Sequence, residues 1–346
     1  MKNENEFRVA LVGTDSLRGK EIKTLLSVKR FPLTHIEFFD ANVEEEYAKL
    51  TEFKDEPKVI RHLGPDSLGG MDLVFFADQE AGRAYSLLAG EKKFQAIDLS
   101  GSYNGREDVP LIVAGVNDSV IAQKRFSLIA NPHPVTIILS SLLHRLIPKF
   151  GINKAVAFVL QPVSAFDESG IEELASQSTA LLSGASLKKK VFRQQIAFNI
   201  LSHTEAPDAN GFSSGERKVI AEIKRVLTNP KFPLSLSIIQ TPIFHTYSIM
   251  AYVELAAPAS RPDLIGLYKG SPLFKIGAAS AACPVSSISV AGKEQIFIGQ
   301  IKKEDRFPNR FWIWTVTDNL TRGSAINALE IARILFESRS QGHSPR

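Results

Sequence analysis

Two stretches of this 346-residue chain are spaced to do chemistry. In "VALVGTDSLRG" Gly13 closes an apolar run and Gly19 opens a helical one, with Ser16 between them. Glycines at a strand-to-helix turn let the backbone approach a pyrophosphate at a helix N-terminus. Ser16 is a modest obstruction at the central position. Asp15 puts a carboxylate in the loop, unfavourable beside a phosphate but able to cap the helix instead. Asp40 ends the next apolar run, where a carboxylate holds ribose hydroxyls and repels a 2′-phosphate. If a nucleotide binds, NAD is therefore favoured over NADP; the competing reading is a purely structural turn. The second stretch, "SLIANPHPVTIILSSLL", is an apolar run, a Pro-punctuated loop and an apolar helix, where an α/β enzyme often holds a nucleophile. Its loop offers His133, Pro134 and Val135, with no thiol, serine or carboxylate.

The elements that would position these residues follow from periodicity. "FRVALVG", "HIEFFDA", "KVIRHL", "MDLVFFA", "QAIDLS" and "FSLIAN" read as strands. "KEIKTLLSV" and "EAGRAYSLLAGEKK" read as helices between them. Such alternation predicts a doubly wound parallel sheet. Beyond residue 131 come a helix over 135–150, a strand followed by a loop over 153–165 and helices over 170–184 and 213–227, the last with Ser213 as N-cap. Strands over 234–243, 248–257, 286–292, 295–304 and 311–318 predict a mainly antiparallel second sheet. A last helix over 324–338 returns to cover the first domain, and the tail after it is expected to be disordered.

Composition narrows the class. Charged residues are 23%, hydrophobic residues 44% and the net charge only +4, values of an ordinary globular chain. The one dense basic run, Lys188-Lys189-Lys190, reads as a solvated helix face rather than a nucleic-acid site. A single cysteine excludes an internal disulfide framework and a Cys-based zinc site, and no metal is expected. Cys283, in "AASAACPVSSISV", has no His or basic cluster beside it and reads as a packing residue. With no signal-like start and no long apolar run, the expectation is a cytoplasmic protein with no membrane partner.

The order of "VALVGTDSLRG", "DLVFFA", "AIDLSGSYNGREDVPLIVAGVN", "IANPHPVTIIL", "QPVSAFDESGIEEL", "QIAFNILSH" and "IFIGQIKKEDRFPNRFWIWTVTDNLTRGSAINALEIA" resembles the aspartate-semialdehyde dehydrogenase family over nearly the whole chain. The resemblance implies a Rossmann-like NAD(P)-binding domain over 1–132 with the helix over 320–340. A catalytic and dimerisation domain is implied over 133–319. It also implies a reductive dephosphorylation by cysteine, histidine and two arginines. In the motif Asn-Pro-x-Cys-x-Thr, Asn131, Pro132 and Thr136 match, and the cysteine position is Pro134. Gln161 keeps the glutamine motif. Pro242 and Glu254 set a register that puts Gln240 at an arginine and Tyr247 at the histidine. The phosphate-side arginine is Asn104, and the acidic residue of the Pro-Glu-Val-Asn motif is Gly115. Lys218 survives, but its glutamate partner is Gly215.

His245 would share the face of Tyr247 on an extended strand and is the possible surrogate, weighed against an ordinary hydrogen-bonded histidine. Asn327 matches an asparagine near the nicotinamide, or else bonds neighbouring backbone. Trp312 and Trp314 share one strand face and read as core or subunit interface. The expected protein is a divergent, catalytically inactive family member: a homodimeric scaffold, binding partner or nucleotide sensor. A hetero-oligomer with an active paralogue is a variant of that expectation. The alternative is an NAD(P)-dependent oxidoreductase acting on an aldehyde or oxo group without cysteine, with Tyr247 or His245 as acid.

Overall fold

Strands such as FRVALV and LVFF are apolar at nearly every position because both their faces are covered. In the computed structural model, residues 7–29, 31–43, 49–277 and 284–340 are described. The chain divides into two units, one ending at His133 and resuming at Ser324, the other spanning Pro134–Gly323.

The first unit holds β1 (Phe7–Val12), β2 (Leu33–Asp40), β3 (Lys49–Phe53), β4 (Glu56–His62), β5 (Leu73–Phe76), β6 (Gln95–Asp98) and β7 (Leu128–Ala130). Its helices are α1 (Leu17–Val28), α2 (Gln79–Tyr85), α3 (Leu88–Lys92), α4 (Ser119–Gln123) and a C-terminal helix, Asn327–Ser340. The strand order is β3-β4-β2-β1-β5-β6-β7, parallel throughout except that β3 runs antiparallel to β4. The chain leaves β1 toward β2 on one side and returns at β5 on the other. The C-terminal ends of β1 and β5 thus frame the switch point where α/β sheets bind ligands. Ala325, Ala328, Leu329, Ile331 and Ala332 of the C-terminal segment pack into the core of this unit, as expected of the returning helix.

The second unit begins with α5 (Pro134–Phe150), then β8 (Ile152–Gln161), α6 (Asp167–Ser183) and α7 (Ser214–Val226). After these come β9 (Leu234–Gln240), β10 (Tyr247–Leu255), α8 (Arg261–Lys269), β11 (Phe274–Ile276), α9 (Ser287–Val290), β12 (Ile296–Lys303) and β13 (Arg310–Thr317). The sheet order is β11-β12-β13-β10-β8-β9. Its central pairs are antiparallel and its outermost pairs parallel. Pro134 is the first residue of α5, a position that suits proline because its fixed φ is helical and its missing N–H has no partner to lose. Ala155, Ala157, Val159, Ile249, Ala251 and Val253 bury one sheet face in a core with Val135, Leu139 and Leu142 of α5. The opposite face carries Phe158, Met250, Tyr252, Trp312 and Trp314 in cross-strand register.

Several elements differ from the sequence reading. Strand β4 was expected from KVIRHL, but β3 and the hairpin were not: β3 is short and polar, and the turn sets Lys54 and Asp55 at positive φ without the usual glycine or asparagine. The single helix expected over 80–93 breaks into α2 and α3. The strand expected over 286–292 is instead the short helix α9, because Ser286 and Ser289 close a capping box. Lys188-Lys189-Lys190 are solvated but lie in a loop, not on a helix. Glu173 and Gln177 of α6 pin that loop by taking backbone N–H groups of Lys190, Val191, Phe192 and Ile196. α8 was missed despite its Ser260 cap and Pro262.

Candidate functional site

The nucleotide-type turn belongs to the first unit. Gly13 has φ +81°, and a Cβ there would stand 2.5 Å from the Asp78 Cβ. A Cβ on Gly19 would collide with the Gly13 carbonyl oxygen. Both glycines are thus required by the packing of the turn itself. Ser16, not Asp15, caps α1: its hydroxyl accepts the Gly19 N–H at 3.0 Å and donates to the Gly13 carbonyl at 2.9 Å. Asp15 forms an ion pair with Lys49 of β3, which lifts the Lys49 ammonium above its ordinary range. Asp78 caps α2 by accepting the Ala81 N–H at 2.8 Å. Asp40 accepts the Asn42 N–H at 3.3 Å. Burial raises the Asp40 carboxyl above the usual range; Asp15 and Asp78 push the same way, while the Asn42 bond and Lys49 oppose it.

Elsewhere in this unit, Asn327 is fully buried and its amide is committed. Its Oδ1 accepts the Ala114 N–H at 2.9 Å, and its Nδ2 donates to the Ile112 carbonyl at 2.9 Å and to Asn131 Oδ1 at 2.8 Å. Gly115 has φ +78° and donates its N–H to the Asp118 carboxylate at 2.9 Å, while Asn104 is buried.

In the second unit, register assembles a row of side chains. Gln240 of β9 pairs with Gln161 of β8, and Tyr247 of β10 pairs with Thr317 of β13. The Tyr247 hydroxyl donates to Gln161 Oε1 at 3.1 Å, and Gln161 Nε2 donates to Gln240 Oε1 at 3.0 Å. Gln240 Nε2 ends the chain on the carbonyls of Gln161 and Thr241, each at 3.1 Å. Gln240 and Tyr247 are each 1% exposed. Burial pushes the Tyr247 phenol well above its ordinary range. The row carries no charge at neutral pH, and its members hydrogen-bond one another.

His245 does not belong to this row. It sits in a bend, half-buried, and Thr246 between it and Tyr247 has φ +78°, so the alternation expected of an extended strand fails. Its ring has no hydrogen-bond partner among the described residues. Thr136 of α5 donates to the buried carboxylate of Glu222 of α7 at 2.7 Å. Lys218 is exposed on α7. At Gly215 the carboxylate of Glu205 accepts the backbone N–H at 3.0 Å and the Ser214 hydroxyl at 2.5 Å. Lys49, Asp78, Glu205 and Thr246 were not singled out from the sequence; only Asp78 carried a local signal, as a cap residue before α2. Cys283 lies outside the described residues. These residues contain no group of three or more potential metal ligands and no helix long and apolar enough to cross a membrane.

A family model of the semialdehyde dehydrogenase dimerisation domain matches residues 143–322, and one of the semialdehyde dehydrogenase NAD-binding domain matches residues 8–124. The chain belongs to the semialdehyde dehydrogenase family. It is 26% identical over 333 residues to the aspartate-semialdehyde dehydrogenase of Shewanella sp. (strain DB6705), covering 96% of this chain and 98% of that one. It is 27% identical over 336 residues to the enzyme of Legionella pneumophila, covering 95% of each. The fold matches that of aspartate-semialdehyde dehydrogenase II from Vibrio cholerae with a TM-score of 0.90 at 24% identity, over 96% of this chain and 98% of that one. A probable aspartate-semialdehyde dehydrogenase from Pseudomonas aeruginosa matches with a TM-score of 0.89 at 25% identity, over 95% and 98%. The two-domain α/β architecture is that of this family.

Proposed function

We propose that this family member does not carry out the reductive dephosphorylation of its relatives and serves as a non-catalytic, homodimeric scaffold or binding partner. The observation that carries the reading is the closed row Gln161–Gln240–Tyr247, in which the positions matching an arginine and the catalytic histidine are neutral and mutually satisfied. A substrate carboxylate needs a guanidinium, and an amide committed to two backbone carbonyls cannot replace one. Pro134 has no atom that can attack an acyl phosphate, so no covalent intermediate forms at that position. A reductase using Tyr247 as proton donor is disfavoured, because burial makes the phenol a weaker acid and its hydrogen is already donated to Gln161. Among the described residues His245 has no hydrogen bond that would orient it for the same task.

The homodimer rests on the match to a dimerisation-domain model and on the half-exposed apolar face of the second sheet. The activity assay uses aspartate semialdehyde, phosphate and NAD or NADP, followed by nicotinamide absorbance. No turnover is expected. Phosphate-dependent turnover overturns the reading, whether or not it survives Cys283→Ala. Light scattering of the purified protein alone and mixed with an active relative reports whether it pairs with itself or with that relative.

A further inference from the structure

A dinucleotide site at a β1–α1 turn needs three things: open backbone donors, space where the phosphates pass, and a potential that accepts negative charge. The turn described above departs on each count, and no residue of the Gln161–Gln240–Tyr247 row takes part. The Gly19 N–H, in the first turn of α1, is taken by the Ser16 hydroxyl, which is locked in place by its own bond to the Gly13 carbonyl. A glycine at position 16 would leave that donor and that space open. Asp15, directly before the helix cap, supplies a carboxylate at the positive end of the helix, the place where a nucleotide would supply phosphate. Lys49, which could otherwise face an incoming anion, is neutralised by that carboxylate. Asp78 stands against Gly13 across the switch point and adds a second negative charge. Arg18, in the first turn of α1, reaches instead to the Leu99 carbonyl at 3.3 Å. The Asp40 carboxyl is raised chiefly by burial, and Asp15 and Asp78 push it the same way against Lys49.

We propose that the β1–α1 turn is closed against NAD and NADP by its own side chains: the Ser16 hydroxyl takes a helix N-terminal donor, the Asp15–Lys49 ion pair spans the turn, and Asp78 repels a pyrophosphate. The NAD-binding-type domain then keeps its fold without the ligand, because the turn carries its own anion. A nucleotide-sensing role is excluded with it.

The test is binding, independent of turnover. The full-length protein is titrated by calorimetry with NADH and NADPH up to about 1 mM, a concentration that reveals even weak sites. No saturable signal is expected from the wild type. The variant Asp15→Asn/Ser16→Gly/Asp78→Asn keeps both structural glycines, and asparagine retains a capping oxygen at position 78. It is expected to bind at least tenfold tighter than the wild-type limit, with affinity falling as salt is raised because Lys49 is released to face the phosphates. Asp15→Asn alone, at a half-exposed side chain, carries the same expectation should the triple variant not fold. Saturable binding by the wild type overturns the proposal. Equal silence from folded wild type and variants also overturns it, because the block would then not lie in these side chains.

Discussion

Position 134 shows how one residue type removes a chemistry wherever the chain folds. Restoring the thiol by Pro134→Cys is expected to give no phosphate-dependent turnover, since Gln240 and Tyr247 still supply neither guanidinium nor imidazole; an initial-rate assay decides it. Within the row, Tyr247→Phe removes one hydrogen bond and is expected to cost about 1 kcal/mol in a denaturant titration. Gln240→Leu strands the Gln161 amide nitrogen and removes a donor from the Thr241 carbonyl, while the Gln161 carbonyl keeps the Thr241 N–H and hydroxyl, and it is expected to cost about 1–3 kcal/mol. Asp40 makes a prediction in pH. Its folded-state pKa is raised, so the folded protein binds that proton more tightly than the unfolded chain does. The stability tied to Asp40 is therefore greatest at acid pH and declines as pH rises from the unfolded value, about 3.9, through the elevated folded one. Asp40→Asn removes that decline. Its melting temperature relative to wild type should rise as pH climbs above about 4 and level off above the folded pKa; a difference that stays constant with pH would count against the assignment.

At the scale of elements, the bend between β9 and β10 holds a strained residue. Thr246 is β-branched, sits at φ +78° and buries a hydroxyl that has no partner among the described residues. Thr246→Gly relieves both costs while keeping the backbone N–H that donates to Asn319 at 3.0 Å. The expected gain is about 1 kcal/mol, read as a higher denaturation midpoint; a loss of that size would mean that the threonine methyl packs too well to give up. The same bend explains why His245 does not lie on one strand with Tyr247. The face it shares with Tyr247 in a regular strand is lost when an intervening residue turns left-handed. The sequence offered no sign of this, because threonine ordinarily avoids that region. At the other turn, composition named a capping residue but not the right one. Ser16 and Asp15 are both good N-caps, and the choice fell to Ser16 because β3 brings Lys49 to Asp15.

For the whole molecule, the unburied face of the second sheet is the feature with most consequence. Phe158 is 45% exposed, and Tyr252 packs on Trp312 at 4.8 Å while Trp312 donates to Glu304 at 3.3 Å. A row of aromatic side chains across three strands is a surface that a second copy would cover. Phe158→Glu with Trp312→Glu is expected to convert the proposed homodimer to monomer in light scattering, with circular dichroism of the wild-type form. An unchanged mass would remove this face from the interface.

The fold class could be read from the sequence because strand and helix periodicities are local, and burial on both faces demands the apolar runs seen in β1 and β5. That position 134 carries no nucleophilic side chain could be read too, since proline brings no reactive atom into any site. What only the tertiary structure decided is which charges and amides meet. Asp15 finds Lys49, Asp78 stands at Gly13, and Gln161 joins Gln240 to Tyr247, each pair contributed by separate strands or loops. Those partnerships follow from strand order and register, which no local pattern encodes. They determine whether an inherited turn still has an open donor and whether an inherited polar row still has a free hydrogen bond to offer.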